Sequence, residues 1–154
     1  MSIAKVKEYF KKYKMDDKII EFEVSSATVE LAAKALNTEG ARIAKTMSFR
    51  LKDRYILILL AGDAKISNSK YKAFFHEKAH MLKFEEVEEI VGHPVGGVCP
   101  FAINDGIDVY LDESLKRFKT VYPACGSQNS AIELTIPELE KYSNYKEWID
   151  VSDY

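Results

Sequence analysis

In "RIAKTMSFRLKDRYILILLAG" (42–62), two apolar-rich runs flank the polar triplet Lys52, Asp53 and Arg54. The pattern predicts two strands, 42–51 and 55–62, joined by a short turn. Side chains alternate across a strand, so Ile43, Lys45, Met47, Phe49 and Leu51 share one face. Ala44, Thr46, Ser48 and Arg50 share the other. Lys45 therefore points with the apolar set, where an ammonium is costly unless it meets an anion or a cleft. A lysine that snorkels to water, a structural ion pair and a substrate-facing ammonium all satisfy that pattern, which does not choose among them.

Working outward, residues 2–13 place Ile3, Val6, Phe10 and Tyr13 at helical spacing, with lysines opposite. "IIEFEVS" (19–25) alternates and reads as a half-buried strand with Ile20, Phe22 and Val24 on one face. Thr28 can cap a helix through Ala35 or Leu36 that Asn37 and Gly40 end. Beyond the central pair, "SNSKYKAFFHEKAH" (67–80) and "FEEVEEIV" (84–91) read as helices, the second stopped by Gly92. "VCPFAI" and "IDVYL" flank an "NDG" hairpin signal. Asp112 can cap a short helix over 113–118. "TVYPAC", a "GSQNS" turn and "AIELTI" follow, and Pro137 suits the start of a last helix. The tail "YKEWIDVSDY" is expected on the surface as a terminal strand or helix cover. Strands and helices come in runs rather than strict βαβ alternation. The expectation is α+β, one domain over residues 1–154, with a mixed or partly closed sheet.

The 154 residues are 47% hydrophobic and 30% charged, the composition of a globular chain rather than a disordered one. A net charge of -2 excludes a strongly basic, histone-like binder but permits local basic patches. Lysines 5, 7, 11, 12 and 14 form one such cluster, and Lys116, Arg117 and Lys119 another. Such runs are solvated faces or guides for an RNA acceptor stem. No apolar run reaches membrane-spanning length, the N-terminus lacks a signal-peptide core, and two cysteines make no disulfide framework. A cytoplasmic protein with no membrane partner is expected.

Residues 92–101, "GHPVGGVCPF", hold three of the seven glycines and two of the four prolines. That density predicts a loop with a fixed, unusual backbone that something approaches closely.

Four stretches, "IAKTMSF" (43–49), "VGHPVGGVCPF" (91–101), "VYLDESLKRF" (109–118) and "YPACGSQNSAIEL" (122–134), together resemble the YbaK/ProX family of aminoacyl-tRNA deacylases. That family includes the editing domain inserted in some bacterial prolyl-tRNA synthetases. The resemblance runs from about residue 20 to 142. It implies a small α+β fold around a mixed, barrel-like sheet with surrounding helices. It also implies hydrolysis of the ester between a wrong amino acid and the tRNA 3′ end, without a cofactor or metal. The family's lysine falls on Lys45, its Gly-x-x-x-Pro loop on Gly96 to Pro100, and its later turn on Gly126 and Ser127. No protein nucleophile is implied; a ribose hydroxyl of the terminal adenosine, or a water it positions, attacks. Lys45, Gly96 and Gly97 are thus the expected catalytic positions. Thr46, His93, Val98, Cys99, Pro100, Gly126 and Ser127 are the expected substrate contacts. Backbone N–H groups of the glycine loop would stabilise the oxyanion, each worth about 2.7–4 kcal/mol.

The implied function is trans-editing of a mischarged tRNA carrying cysteine, alanine or a similar small amino acid. The aminoacyl-tRNA 3′ end is the partner, and an aminoacyl-tRNA synthetase a further one. The alternative is a non-catalytic tRNA- or synthetase-binding module. Thr46 stands where the alanine-specific branch tends to have Asn. Ala131 stands where cysteine-editing relatives often carry an acid, so the amino acid stays open. "HEKAH" (76–80) matches a zinc pattern but has a lysine inside it and no third ligand at a recognised spacing. Cys99 near His93 raises a Cys–His nucleophile, against a small apolar filler behind the loop.

Overall fold

A computed structural model describes residues 2–154. The central pair forms as its alternation predicts: β2 (Ile43–Arg50) runs antiparallel to β3 (Tyr55–Ala61), in register from Ala44 opposite Ala61 to Arg50 opposite Tyr55. The Leu51 N–H closes the turn on the Arg54 carbonyl at 2.8 Å. Residues 56–61 are completely buried, because β3 lies in the interior of the sheet with both faces covered.

Beyond β3, β5 (Ile107–Asp112) and then β9 (Glu147–Ile149) add in parallel. On the β2 side, β6 (Thr120–Pro123) pairs in parallel and β8 (Leu134–Thr135) antiparallel to it. The resulting six-stranded sheet has the order β8-β6-β2-β3-β5-β9. Two small ribbons accompany it: β1 (Ile20–Glu21) with β7 (Ser130–Ala131), and β4 (Lys65–Ile66) with β10 (Ser152–Asp153). This is the expected α+β architecture around a mixed, curled sheet.

Among the described residues, five helices cover the sheet. α1 (Ser2–Lys11) buries Val6 and Phe10. α2 (Val29–Leu36) is capped by the Thr28 hydroxyl, which accepts from the Leu31 N–H, and ends at Asn37 with φ 53. It lays Ala32 and Ala33 against Ile43. α3 (Asn68–Phe75) packs Tyr71 on Phe49, and α4 (Phe84–Val91) ends at Gly92 with φ 100. α5 (Ile136–Ser143) carries Pro137 in its first turn and a reciprocal cap between Thr135 and Glu138.

Several expectations are corrected. Only Ile20 and Glu21 of 19–25 form strand, and Ile20 and Val24 are exposed; the alternation finds no core to face because β1 lies outside the main sheet. The helix expected over 67–80 stops at Phe75, where His76 takes φ 65, so "HEKAH" lies past the helix and its two imidazoles share no helical face. Residues 98–103 form no strand, and the "NDG" signal closes no hairpin. That segment instead sinks Cys99 and Phe101 into the core as loop, turning at Ala102 with φ 55, while β5 takes β3 and β9 as partners. "AIELTI" breaks into the separate strands β7 and β8, because the Ile132 N–H turns to the Pro123 carbonyl. The tail is more than a surface cover: β9 completes the sheet, and Ile149 and Val151 are buried.

Asp112 caps the 3-10 turn Glu113–Arg117 through the Ser114 N–H, as expected. Its buried carboxylate also accepts from the Val151 N–H at 3.0 Å and the Ser152 hydroxyl at 2.6 Å, which ties the C-terminal segment to the sheet.

Candidate active site

The outer edge of β2 is paired at both ends and open between them. The ladder to β6 stops at Ala44 opposite Pro123, and the edge is next met at Phe49 by Met81. There the Leu82 N–H donates to the Ser48 carbonyl at 3.1 Å, and the Arg50 N–H to the His80 carbonyl at 2.8 Å. A cavity of about 480 Å³ opens at this notch. Six consecutive residues of β2, Ile43 to Ser48, line it. Residues from both faces of one strand reach one cavity because the strand's edge itself is uncovered there.

α2 contributes Val29 and Ala32 to the walls, the segment before it Ser26 and Ala27, and the β6–β7 region Tyr122, Ala124, Ser130 and Ala131. Met81 and Phe84 stand at the rim and are 59% and 75% exposed. Val95, Gly96 and Val98 of the glycine loop complete the lining.

That loop is a tight turn. The Gly97 N–H donates to the Pro94 carbonyl at 2.9 Å, and Gly96 takes φ 92, a conformation that favours glycine. The Gly97 carbonyl accepts from the Gly126 N–H at 3.0 Å, so the two glycine segments meet. Gln128 holds the turn from outside, its Nε2 donating to the Val95 carbonyl at 3.2 Å. Gly97 N–H is therefore committed. The Gly96 and Val98 N–H groups donate to nothing among the described residues and belong to cavity-lining positions.

Lys45 is half-buried. Its ammonium donates to the Ala64 carbonyl and, at 3.4 Å, to the Gly62 carbonyl, both in the turn after β3. Burial lowers its pKa from the ordinary lysine value, an effect partly opposed by the Asp63 carboxylate. Asp63 is itself held by Arg117.

Of the expected site residues, Lys45, Thr46, Gly96 and Val98 line the cavity. The others stand behind it. His93 is fully buried with Nε2 2.6 Å from the Phe101 carbonyl, so it pins the loop from the core side instead of lining the cavity. Cys99 is fully buried too, and burial pushes its thiol pKa up to about 12. A thiolate is out of reach in such surroundings, which leaves Cys99 the small filler. Pro100 lies away from the cavity, in the segment leading to Phe101. Gly126 and Ser127 pack against Gly97; the Ser127 hydroxyl bonds the Ser130 hydroxyl, and Ser130 does reach the cavity.

No local sequence signal marks Met81, Phe84 or Tyr122 as cavity residues, since folding alone brings their segments to the notch. No group of three or more His, Cys, Asp or Glu capable of holding a metal occurs among the described residues. No helix is long and apolar enough to cross a membrane. Of the basic clusters, Lys7 pairs with Glu21, Lys116 with Glu113 and Arg117 with Asp63. Lys5 donates to the Gly92 carbonyl at the C-terminus of α4.

Residues 23–142 match the aminoacyl-tRNA editing domain. The chain belongs to that family. It is 53% identical over 152 residues to an uncharacterized protein of Bacillus subtilis, YwhH, covering 98% of this chain and 97% of that protein. It is 33% identical over 95 residues to the proline–tRNA ligase of Caldicellulosiruptor saccharolyticus, covering 60% of this chain but only 16% of the ligase. A crystal structure of a candidate trans-editing enzyme for prolyl tRNA synthetase superposes with a TM-score of 0.88 at 25% identity, covering 99% of this chain and 98% of that one.

Proposed function

We propose that this editing domain is a trans-acting deacylase that hydrolyses the ester between a small, wrong amino acid and the 3′ end of tRNA. The observation that carries the reading is the notch cavity, where Lys45, Thr46 and the glycine loop converge without a competent side-chain nucleophile. Its volume of about 480 Å³ suits an aminoacyl group with part of the terminal nucleoside.

In this reading, water or a ribose hydroxyl adds to the acyl carbon, and the carbonyl oxygen gains negative charge. The bond to the ribose oxygen then breaks, that oxygen takes a proton, and with water as the final acceptor the products are free amino acid and tRNA. The Gly96 and Val98 N–H groups are the donors suited to the oxyanion, because Gly97 N–H already serves its turn. Gly97 acts one step back, letting the loop lie against Ser127. The Lys45 ammonium, with one donor left beyond its two carbonyl partners, holds a phosphate or sugar oxygen of the acceptor end. Positioning and backbone electrostatics supply the rate.

The test is release of amino acid from a panel of tRNAs charged with alanine, cysteine, serine and proline. Enzyme-dependent release of a small mischarged amino acid, with cognate charged tRNA spared, is expected. Release of none while tRNA still binds would overturn deacylation in favour of a non-catalytic binding module.

A further inference from the structure

An amino acid esterified to tRNA brings an α-amino group that is cationic over much of the neutral range, and that group needs an acceptor wherever it is buried. The notch cavity offers no carboxylate. Its lining contains no Asp or Glu, and its one charged residue, Lys45, is itself a cation. The acceptor must be neutral.

The open edge of β2 supplies one. Ser48 C=O and Arg50 N–H both point outward, to residues 82 and 80. Backbone direction alternates along a strand, so the N–H and C=O of Thr46 point to the same edge. No strand covers that position: β6 has ended at Ala44, and the 80–82 segment begins opposite Ser48. Neither Thr46 backbone group meets a partner on this edge among the described residues. A bare donor and acceptor on one residue, walled by a cavity and flanked by paired positions, is the template for adding one further residue of strand.

We propose that the main chain of Thr46 binds the aminoacyl group as a one-residue strand. Its C=O accepts from the substrate α-amino group, and its N–H donates to the acyl carbonyl oxygen as a third donor beside the Gly96 and Val98 N–H groups across the same cavity. This deepens the deacylase reading and rests on it for the identity of the ligand. The contact reads a free α-amino acyl group and ignores the side chain, which is left to the apolar walls. An N-blocked acyl group loses the first hydrogen bond and crowds the Thr46 carbonyl.

The probe is a hydrolysis-resistant amide analogue, 3′-alanylamino-3′-deoxyadenosine, titrated into the full ¹⁵N-labelled chain. The expected result is a shift of the Thr46 amide resonance and slowed exchange of its proton. The N-acetylated probe should bind at least about tenfold more weakly, as should the free-amine probe to Thr46→Pro. Proline at 46 removes the outward N–H together with the threonine side chain and fixes φ, but it takes no donor from the β2–β3 ladder, whose bonds on β2 come from the odd-numbered residues Lys45, Met47 and Phe49. Equal affinity for blocked and free probes overturns the proposal, as does binding that leaves the Thr46 amide unmoved, or no binding at all. Neither blocked-probe titration nor wild-type resonances depend on the variant folding. If charged tRNAs are not hydrolysed while the probe still engages Thr46, deacylation fails and this recognition stands.

Discussion

The Gly126 N–H donates to the Gly97 carbonyl, and a Cβ placed on Gly97 would lie 2.5 Å from the Ser127 nitrogen. The two glycine segments are thus packed backbone against backbone, with no room for a methyl group. Gly97→Ala should push them apart, costing about 1–3 kcal/mol as overpacking does. For a chain of this size that lowers Tm by several degrees. Because Gly96 and Val98 ride on the same turn, deacylation should fall further than stability at temperatures where the variant is folded. Thermal unfolding beside deacylation kinetics checks both; a variant as stable and active as the parent would show the packing to be slack.

Lys45 spends two donors on the Gly62 and Ala64 carbonyls. Lys45→Met keeps the aliphatic stem and removes the charge, so the fold should persist with a modest loss of stability. Deacylation is expected to drop about 10²-fold or more through lost positioning. Circular dichroism with single-turnover deacylation separates the two effects. Undiminished single-turnover rates in a folded Lys45→Met protein would remove Lys45 from the mechanism.

His93 imprints a pH dependence on stability. Burial lowers its folded pKa below the ordinary 6.5, with the Phe101 carbonyl opposing the shift. Above 6.5 folded and unfolded chains both hold it neutral, and it adds no slope. Below 6.5 the unfolded chain binds a proton that the folded chain refuses. Stability therefore falls toward acid, by at most about 1.4 kcal/mol per pH unit, until the folded pKa is reached. His93→Gln should be less stable at pH 7 yet lose less between pH 7 and 5. Urea unfolding across that range decides it, and parallel profiles for the two proteins would contradict the assignment.

Cys99 and Cys125 are both fully buried, and burial raises both thiol pKa values, that of Cys99 to about 12. Iodoacetamide should leave the native protein unmodified at pH 8 and react with both thiols after denaturation. Cys99→Ala should deacylate within about threefold of the parent, with a stability loss of about 1 kcal/mol for the small void. A 10²-fold loss of rate with an unchanged Tm would instead restore a nucleophilic thiol.

Local rules held where they acted locally. The Thr28 and Asp112 caps, the stop at Gly92, the proline in the first turn of α5 and the β2–β3 hairpin depend on near neighbours, and all form. They failed where distant chain took over. "VCPFAI" has strand composition, yet its apolar residues are satisfied by sinking a loop into the core. "IIEFEVS" alternates as strands do, but no sheet waits beside most of it. The site divided in the same way. Lys45, Thr46, Gly96 and Val98 meet at the cavity, while His93 and Cys99, close in sequence to the two loop residues, are buried on the core side of the loop, His93 against the Phe101 carbonyl.

From the sequence alone came the hairpin, the helix ends, the unusual glycine loop and the lysine placed among apolar neighbours, since alternation and backbone preference are properties of adjacent residues. Tertiary structure alone decided where pairing stops along β2 and which amides remain free there. An uncovered strand edge is created by the lengths and positions of its neighbours, and no residue in β2 encodes where β6 ends or where residue 80 arrives.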